Sequence, residues 1–156
     1  MPISLEPSLN SEDQHFIYAL ILKEAAKKFP FLPTNQQTQL AELQVRAKLS
    51  TFESNWPNAV KLMVLNDNCS IGFIIINDEP DNIVIVDLLI DDKYRNKGLG
   101  GQIISQLCQK ANLDKKQSIN LSVAVGNPAI TLYLRHDFKV IHQNQTQIDM
   151  KKVLSR

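Results

Sequence analysis

The stretch of the sequence richest in chemistry is Lys93-Tyr94-Arg95-Asn96-Lys97-Gly98-Leu99-Gly100-Gly101. Three of the chain's five glycines fall within four positions there, behind Lys93, Arg95 and Lys97. Glycines let backbone N–H groups come close to a ligand, and a helix starting at this point adds unpaired donors and partial positive charge. With the cations, this composes a cradle for a multiply charged anion such as a pyrophosphate. A tight turn with solvated cations has the same composition, so spacing must narrow the reading. A P-loop requires a lysine and a hydroxyl after its second glycine, and Gly98-Leu99-Gly100-Gly101-Gln102 supplies neither. A dinucleotide fingerprint requires a third glycine where Ile103 stands. What remains is Arg-x-x-Gly-x-Gly at Arg95, Gly98 and Gly100.

Other residues capable of proton transfer lie on either side. Asp87 interrupts the otherwise apolar run Ile83 to Ile90; it is either a base or a structural aspartate bonded to backbone at a strand irregularity. Tyr133 can donate a proton from its hydroxyl or serve as an amphipathic core residue. Asn127, before Pro128, can cap a short helix. Glu79 and Asp81 read as solvated turn residues. His15, His136 and His142 have no ligand spacing, and Cys69 and Cys108 form no Cys-x-x-Cys pair, so no metal is expected. Cys108 reads as a small buried hydrophobe.

The elements that must position these groups follow from periodicity. Ile3 and Leu5 alternate with polar residues in a short first strand. Ser11 and Gln14 have capping-box spacing, predicting a helix over about 11–28 with Phe16, Ile17, Leu20, Ile21 and Ala25 inward. Thr34 is placed to cap a second helix whose apolar side carries Leu40, Leu43 and Ala47. Apolar runs at 62–65 and 71–76, joined by Asn66-Asp67-Asn68, predict a hairpin. The run Ile83 to Ile90 suits a strand near the sheet centre. It feeds the glycine loop, and Ile103, Ile104, Leu107, Cys108 and Ala111 mark the third helix. Residues 119–125 alternate as a strand parallel to the one before the loop. A fourth short helix follows Pro128, then strands over about 138–142 and 146–153.

At 156 residues the chain fits one domain, 1–156, able to stand without disulfides. With 17 basic against 16 acidic residues it has no pull toward nucleic acid. No apolar run approaches the roughly 20 residues that span a bilayer, and the first residues lack a secretion signal. The expectation is a cytoplasmic protein that binds neither membrane nor nucleic acid.

In its motifs and element order the sequence resembles the GNAT superfamily of acyl-CoA-dependent N-acyltransferases. The first motif is Arg95-x-x-Gly98-x-Gly100; the second is Asn127-Pro128-Ala129, then Leu132-Tyr133, then Phe138. The resemblance covers nearly the whole chain. It implies an α/β (α+β) fold with a mixed, mainly antiparallel central sheet, helices on both faces and one parallel strand pair at the cofactor cleft. It further implies acetyl-CoA as cosubstrate and transfer of its acetyl group to a primary amine by direct attack in a ternary complex. Arg95, Asn96, Lys97, Gly98, Leu99, Gly100 and Gly101 would hold the pyrophosphate. Leu89 and Ile90 would offer main-chain groups to the pantetheine arm and thioester, with Asn127 supporting the same cofactor. Tyr133 would be the general acid and Asp87 the base candidate. A non-catalytic acyl-CoA-binding or protein-interaction module with the same fold is the alternative, and a homodimer is left open. The sequence departs from the family pattern at Asp137, where glycine is usual, and at Asp91-Asp92, where a proline is common. The acidic pair is expected to weaken cofactor binding somewhat.

Overall fold

The apolar runs in the middle of the chain become adjacent strands because each alternates or is β-branched, and short turns fold them back on one another. A computed structural model describes residues 3–8 and 10–154. Its strands are β1 (Ile3–Pro7), β2 (Val60–Asn66), β3 (Cys69–Asp78), β4 (Asn82–Ile90), β5 (Ser118–Ala124), β6 (Lys139–Gln143) and β7 (Gln147–Val153). They form one sheet in the order β1-β2-β3-β4-β5-β7-β6, antiparallel except for the β4–β5 pair. Helices α1 (Ser11–Ala26) and α2 (Thr34–Asn55) cover one face, and α3 (Leu99–Leu113) and α4 (Ala129–Arg135) the other. The expected mixed sheet, with helices on both faces and one parallel pair, is therefore the observed one. Asp67 and Asn68 both take positive φ, 52° and 64°, the handedness that a two-residue hairpin turn demands.

The two faces are unequal. On the α3 face, Ile103, Ile104 and Leu107 are sealed against Ile74, Ile83 and Ile119. Each such burial is worth roughly 1.5–3 kcal/mol, so α3 is firmly seated. On the other face, Met63, Phe73 and Ile75 already meet Ile17, Leu20 and Ile21 of α1. Room remains only for small residues of α2, and Ala41 and Val45 are its buried positions. The Leu40, Leu43 and Ala47 line points outward instead, with Leu43 62% exposed. Helix starts also differ from expectation. Asn10, not Ser11, caps α1 by accepting the Asp13 N–H at 2.9 Å. Pro33 occupies the cap of α2 and makes no side-chain bond, and Thr34 is the first helical residue.

Candidate active site

The site is built around the parallel pair. Its register runs only from Asn82↔Ser118 to Ile85↔Leu121. Beyond that, β4 continues with β3 to Ile90 and β5 with β7 to Ala124, so the two strands part and leave a wedge-shaped cleft. At the closed end the buried Lys116 ammonium reaches the Glu79 carbonyl and the Asp78 carboxylate, the latter at 2.7 Å. Glu79 is correspondingly no solvated turn residue, since its side chain also accepts from Asn77 and Asn82.

Register decides where Asp87 points. Ile75 pairs with Asp87 but Ile76 with Ile85, so Val86 is an extra residue, a β-bulge. Without it, simple alternation from Ile83 and Ile85 would drive Asp87 into the α3-side core. With it, Asp87 turns toward α2, where Lys48 Nζ lies 3.2 Å from Oδ2. Asp87 Oδ1 accepts the Leu88 N–H at 3.0 Å. Its Oδ2 is buried and, despite the nearby cation, has no hydrogen bond of acceptable geometry. Tyr133 approaches from the opposite face on α4 and is 5% exposed. Burial pushes its phenol well above the ordinary value, and the Asp87 charge adds to that shift. Among the described residues no partner hydrogen-bonds its hydroxyl.

Main-chain groups along β4 sort by alternation. The Asp91 N–H bonds Ile71 O at 2.8 Å, and the Leu89 carbonyl lies against Gly72, so both residues present their main chain to β3. Leu88 and Ile90 consequently turn theirs toward the cleft. The Ile90 carbonyl is taken by Arg95 Nε at 2.9 Å, which leaves the Ile90 N–H for a ligand. Leu88 escaped the sequence reading because only the bulge reveals which residues of the strand face inward.

The glycine loop begins with a short 3-10 turn, Asp92–Tyr94. Asn96 and Gly98 both have positive φ, 61° and 75°, on either side of Lys97. Alternation of this kind turns successive N–H groups to one side. Gly98 caps α3 without any side-chain bond, and a Cβ there would meet open space. The N–H groups of Leu99, Gly100 and Gly101 have no intrahelical acceptor by position, so they remain donors for an anion. The two later glycines serve a second purpose that the sequence reading missed. A Cβ on Gly100 would lie 2.8 Å from Leu132, and one on Gly101 3.0 Å from His136, so both admit the close approach of α4. Lys97 sits over the Tyr94 ring at 5.9 Å.

Arg95 does not point into the loop's open side. Its Nη2 meets Glu24 of α1 at 2.9 Å and its Nη1 meets Asp92 at 2.8 Å. Asp91 pairs with Lys23 at 3.1 Å, and Asp92 with Lys27. Hydrogen bonding to Lys27 holds Asp92 below the usual carboxylate range, and the same bond raises Lys27. Burial alone would raise Asp91, but its bonds from Lys23 and the Lys93 N–H outweigh that and leave it lowered. The acidic pair is thus neutralised by neighbouring cations, which removes the physical basis for expecting it to repel an anionic cofactor.

Asn127 meets its capping role: Oδ1 accepts the Ala129 N–H at 2.8 Å. That role is compatible with a ligand contact from the exposed amide. At the other end of α4, Asp137 takes φ 69°, the Phe138 N–H returns to Tyr133 O at 3.1 Å, and the two rings meet edge-on at 5.4 Å. This left-handed helix ending is where glycine is preferred. Asp137→Gly is expected to stabilise the chain by about 0.5–1 kcal/mol, raising Tm by roughly 2–3 °C in a thermal melt; a lower Tm would contradict the backbone-strain account.

On the α2 side a groove of about 250 Å³ runs along the parallel pair, walled by Trp56, Val84, Val86 and Ile141 with Ser122 and Asp149 on its floor. Phe31 is 78% exposed and stands apart from it. Among the described residues no cluster of metal-ligating side chains forms, and no helix is long and apolar enough to cross a membrane. Cys108 is half-buried and burial raises its thiol.

A strand wedge with a helix start that no side chain caps at its mouth composes the site, and the comparisons give its family. A profile of the Acetyltransferase (GNAT) family matches residues 20–138, and the chain belongs to that family. Among solved structures it is similar to the PaiA N-acetyltransferase of Thermoplasma acidophilum in complex with coenzyme A (17% identity, 98% of this chain and 99% of that one, TM-score 0.72). It is also similar to an acetyltransferase from Thermus thermophilus (21%, 99% and 98%, 0.69). A GNAT family acetyltransferase from Elizabethkingia anophelis with acetyl-CoA bound is a further neighbour (14%, 97% and 98%, 0.66). No curated protein matches the sequence.

Proposed function

We propose that the chain, as one domain over 1–156, is an N-acetyltransferase that moves an acetyl group from acetyl-CoA to a primary amine by direct attack in a ternary complex. One observation carries the catalytic part: Asp87 Oδ2, buried and without a hydrogen bond, lies within electrostatic reach of the buried Tyr133 phenol across the wedge. Relatives with coenzyme A or acetyl-CoA bound support the choice of cosubstrate. Acetyl-CoA supplies the activated acetyl group. The uncapped N–H groups of residues 99–101, with those of Asn96 to Gly98, bind its pyrophosphate, and Lys97 adds charge. The cleft-facing Ile90 N–H stabilises negative charge on the thioester oxygen, an interaction worth several kcal/mol when the donor is fixed in place. Asp87 accepts the proton of the incoming ammonium, freeing the nitrogen lone pair, and Lys48 holds that carboxylate in position. Tyr133 donates its hydroxyl proton to the departing thiolate. The amine enters along the α2-side groove.

The test is a free-thiol release assay with acetyl-CoA over a panel of amines, run beside thermal melts with acetyl-CoA, ATP and NAD. Thiol release that depends on an amine, together with protection by acetyl-CoA alone, is expected. Equal protection by all three removes the cofactor assignment. Protection without release for any amine assigns the chain to the non-catalytic alternative.

A further inference from the structure

The pyrophosphate loop is fastened to a helix that supplies none of the residues assigned to the chemistry. Lys23, Glu24 and Lys27 occupy the last turns of α1 and its cap; Asp91, Asp92 and Arg95 occupy the loop. Six ion pairs run among these residues, four of them from helix to loop: Lys23 to Asp91 and Asp92, Lys27 to Asp92, and Arg95 to Glu24; Lys27 to Glu24 and Arg95 to Asp92 lie within one side. The three cations and three carboxylates balance, and Arg95 also bonds the Ile90 carbonyl. That guanidinium therefore joins the helix, the loop and the end of β4 at once.

Exposed ion pairs taken singly add little to stability, and a network of them adds more. This network also has a geometric effect. The loop between Ile90 and Gly98 has no fully buried residue; Tyr94 packs against the α3-side core and the Asp91 N–H bonds Ile71 O, while these charges alone fasten the loop to α1. Binding an anion with backbone donors requires those donors to be prearranged, because ordering them at the moment of binding weakens affinity.

We infer that Glu24 and Lys27 of α1 are positioning residues for the cofactor: acting through Arg95 and Asp92, they hold the loop in its binding conformation without touching the ligand. This rests on the proposed use of the loop for acetyl-CoA. It also explains the acidic pair where the family often has proline: a charge clasp supplies the rigidity a proline ring would give.

The experiment is calorimetric titration of CoA into wild type, Glu24→Gln, Lys27→Met and Lys27→Arg, with steady-state kinetics and thermal melts on each. Glu24→Gln is expected to raise the CoA Kd about tenfold and Lys27→Met about fivefold, while Lys27→Arg stays within about twofold of wild type. The loss should sit in KM for acetyl-CoA, with kcat at saturation changing less than about twofold. Should Glu24→Gln fail to fold, the exposed Lys27 pair of variants decides the matter alone. Wild type binding CoA normally, with both Glu24→Gln and Lys27→Met within twofold of it, overturns the inference even if Tm falls. Wild type failing to bind CoA instead overturns the functional reading beneath it.

Discussion

Replacing Tyr133 by phenylalanine is expected to lower turnover about a hundredfold while CoA affinity stays within about twofold of wild type. The substitution keeps the ring, and so the edge contact with Phe138 at 5.4 Å and the filling of the α4 underside. It removes only the hydroxyl, which has no hydrogen bond from a described residue to lose. An unchanged rate would take Tyr133 out of its role. The same variant has a second signature in alkali. Burial, reinforced by Asp87, raises the native phenol above its ordinary value near 10, whereas the unfolded chain ionises at that value. Folded protein therefore keeps the proton that unfolded protein releases, and wild type loses stability as pH climbs past 10. Denaturant melts at pH 8 and pH 11 should show wild type losing about 1 kcal/mol more than Tyr133→Phe. Equal losses would mean that the phenol is not shielded as described.

Asp87→Asn is expected to cut kcat/KM about a hundredfold, with CoA affinity again preserved. Asparagine can still accept the Leu88 N–H through its carbonyl oxygen, so the bulge survives and the lost function is proton removal. The residual rate should climb with pH as more acceptor amine arrives already neutral. Should the variant match wild type at neutral pH, deprotonation happens elsewhere and Asp87 is a structural residue of the bulge.

Much of this arrangement was legible in the residues. Strand order along the chain, the parallel crossover and the glycine loop follow from alternation, from β-branched runs and from the cluster Gly98, Gly100 and Gly101. Illegible was whatever depends on a partner far away in sequence. Asp87, breaking the apolar run, hinted at a strand irregularity, but residue types could not place the bulge at Val86 that turns Asp87 from the core to the α2 side. Leu43 looked inward because helical spacing identifies a stripe but not how much of the sheet α1 has already covered. Lys48 carried a faint signal, a cation lying between the inward-facing Val45, Leu49 and Phe52. The glycines invited one explanation, ligand access, when the packing of Leu132 and His136 supplies another for two of them. Asp91 and Asp92 read as unbalanced charge because their counterions, Lys23 and Lys27, lie more than sixty positions earlier.

The buried Lys116, just ahead of β5, binds the end of β3 and the turn into β4 at the end where β4 and β5 pair, and those strands separate only past Ile85 and Leu121. A tool of that build works like tweezers joined at the heel. Past the joint each arm is backed by its outer neighbour, β3 or β7, and the joint keeps the arms from shearing past one another. The gap proposed to receive the thioester is therefore fixed in alignment, so donors on one arm stay opposite their counterparts on the other.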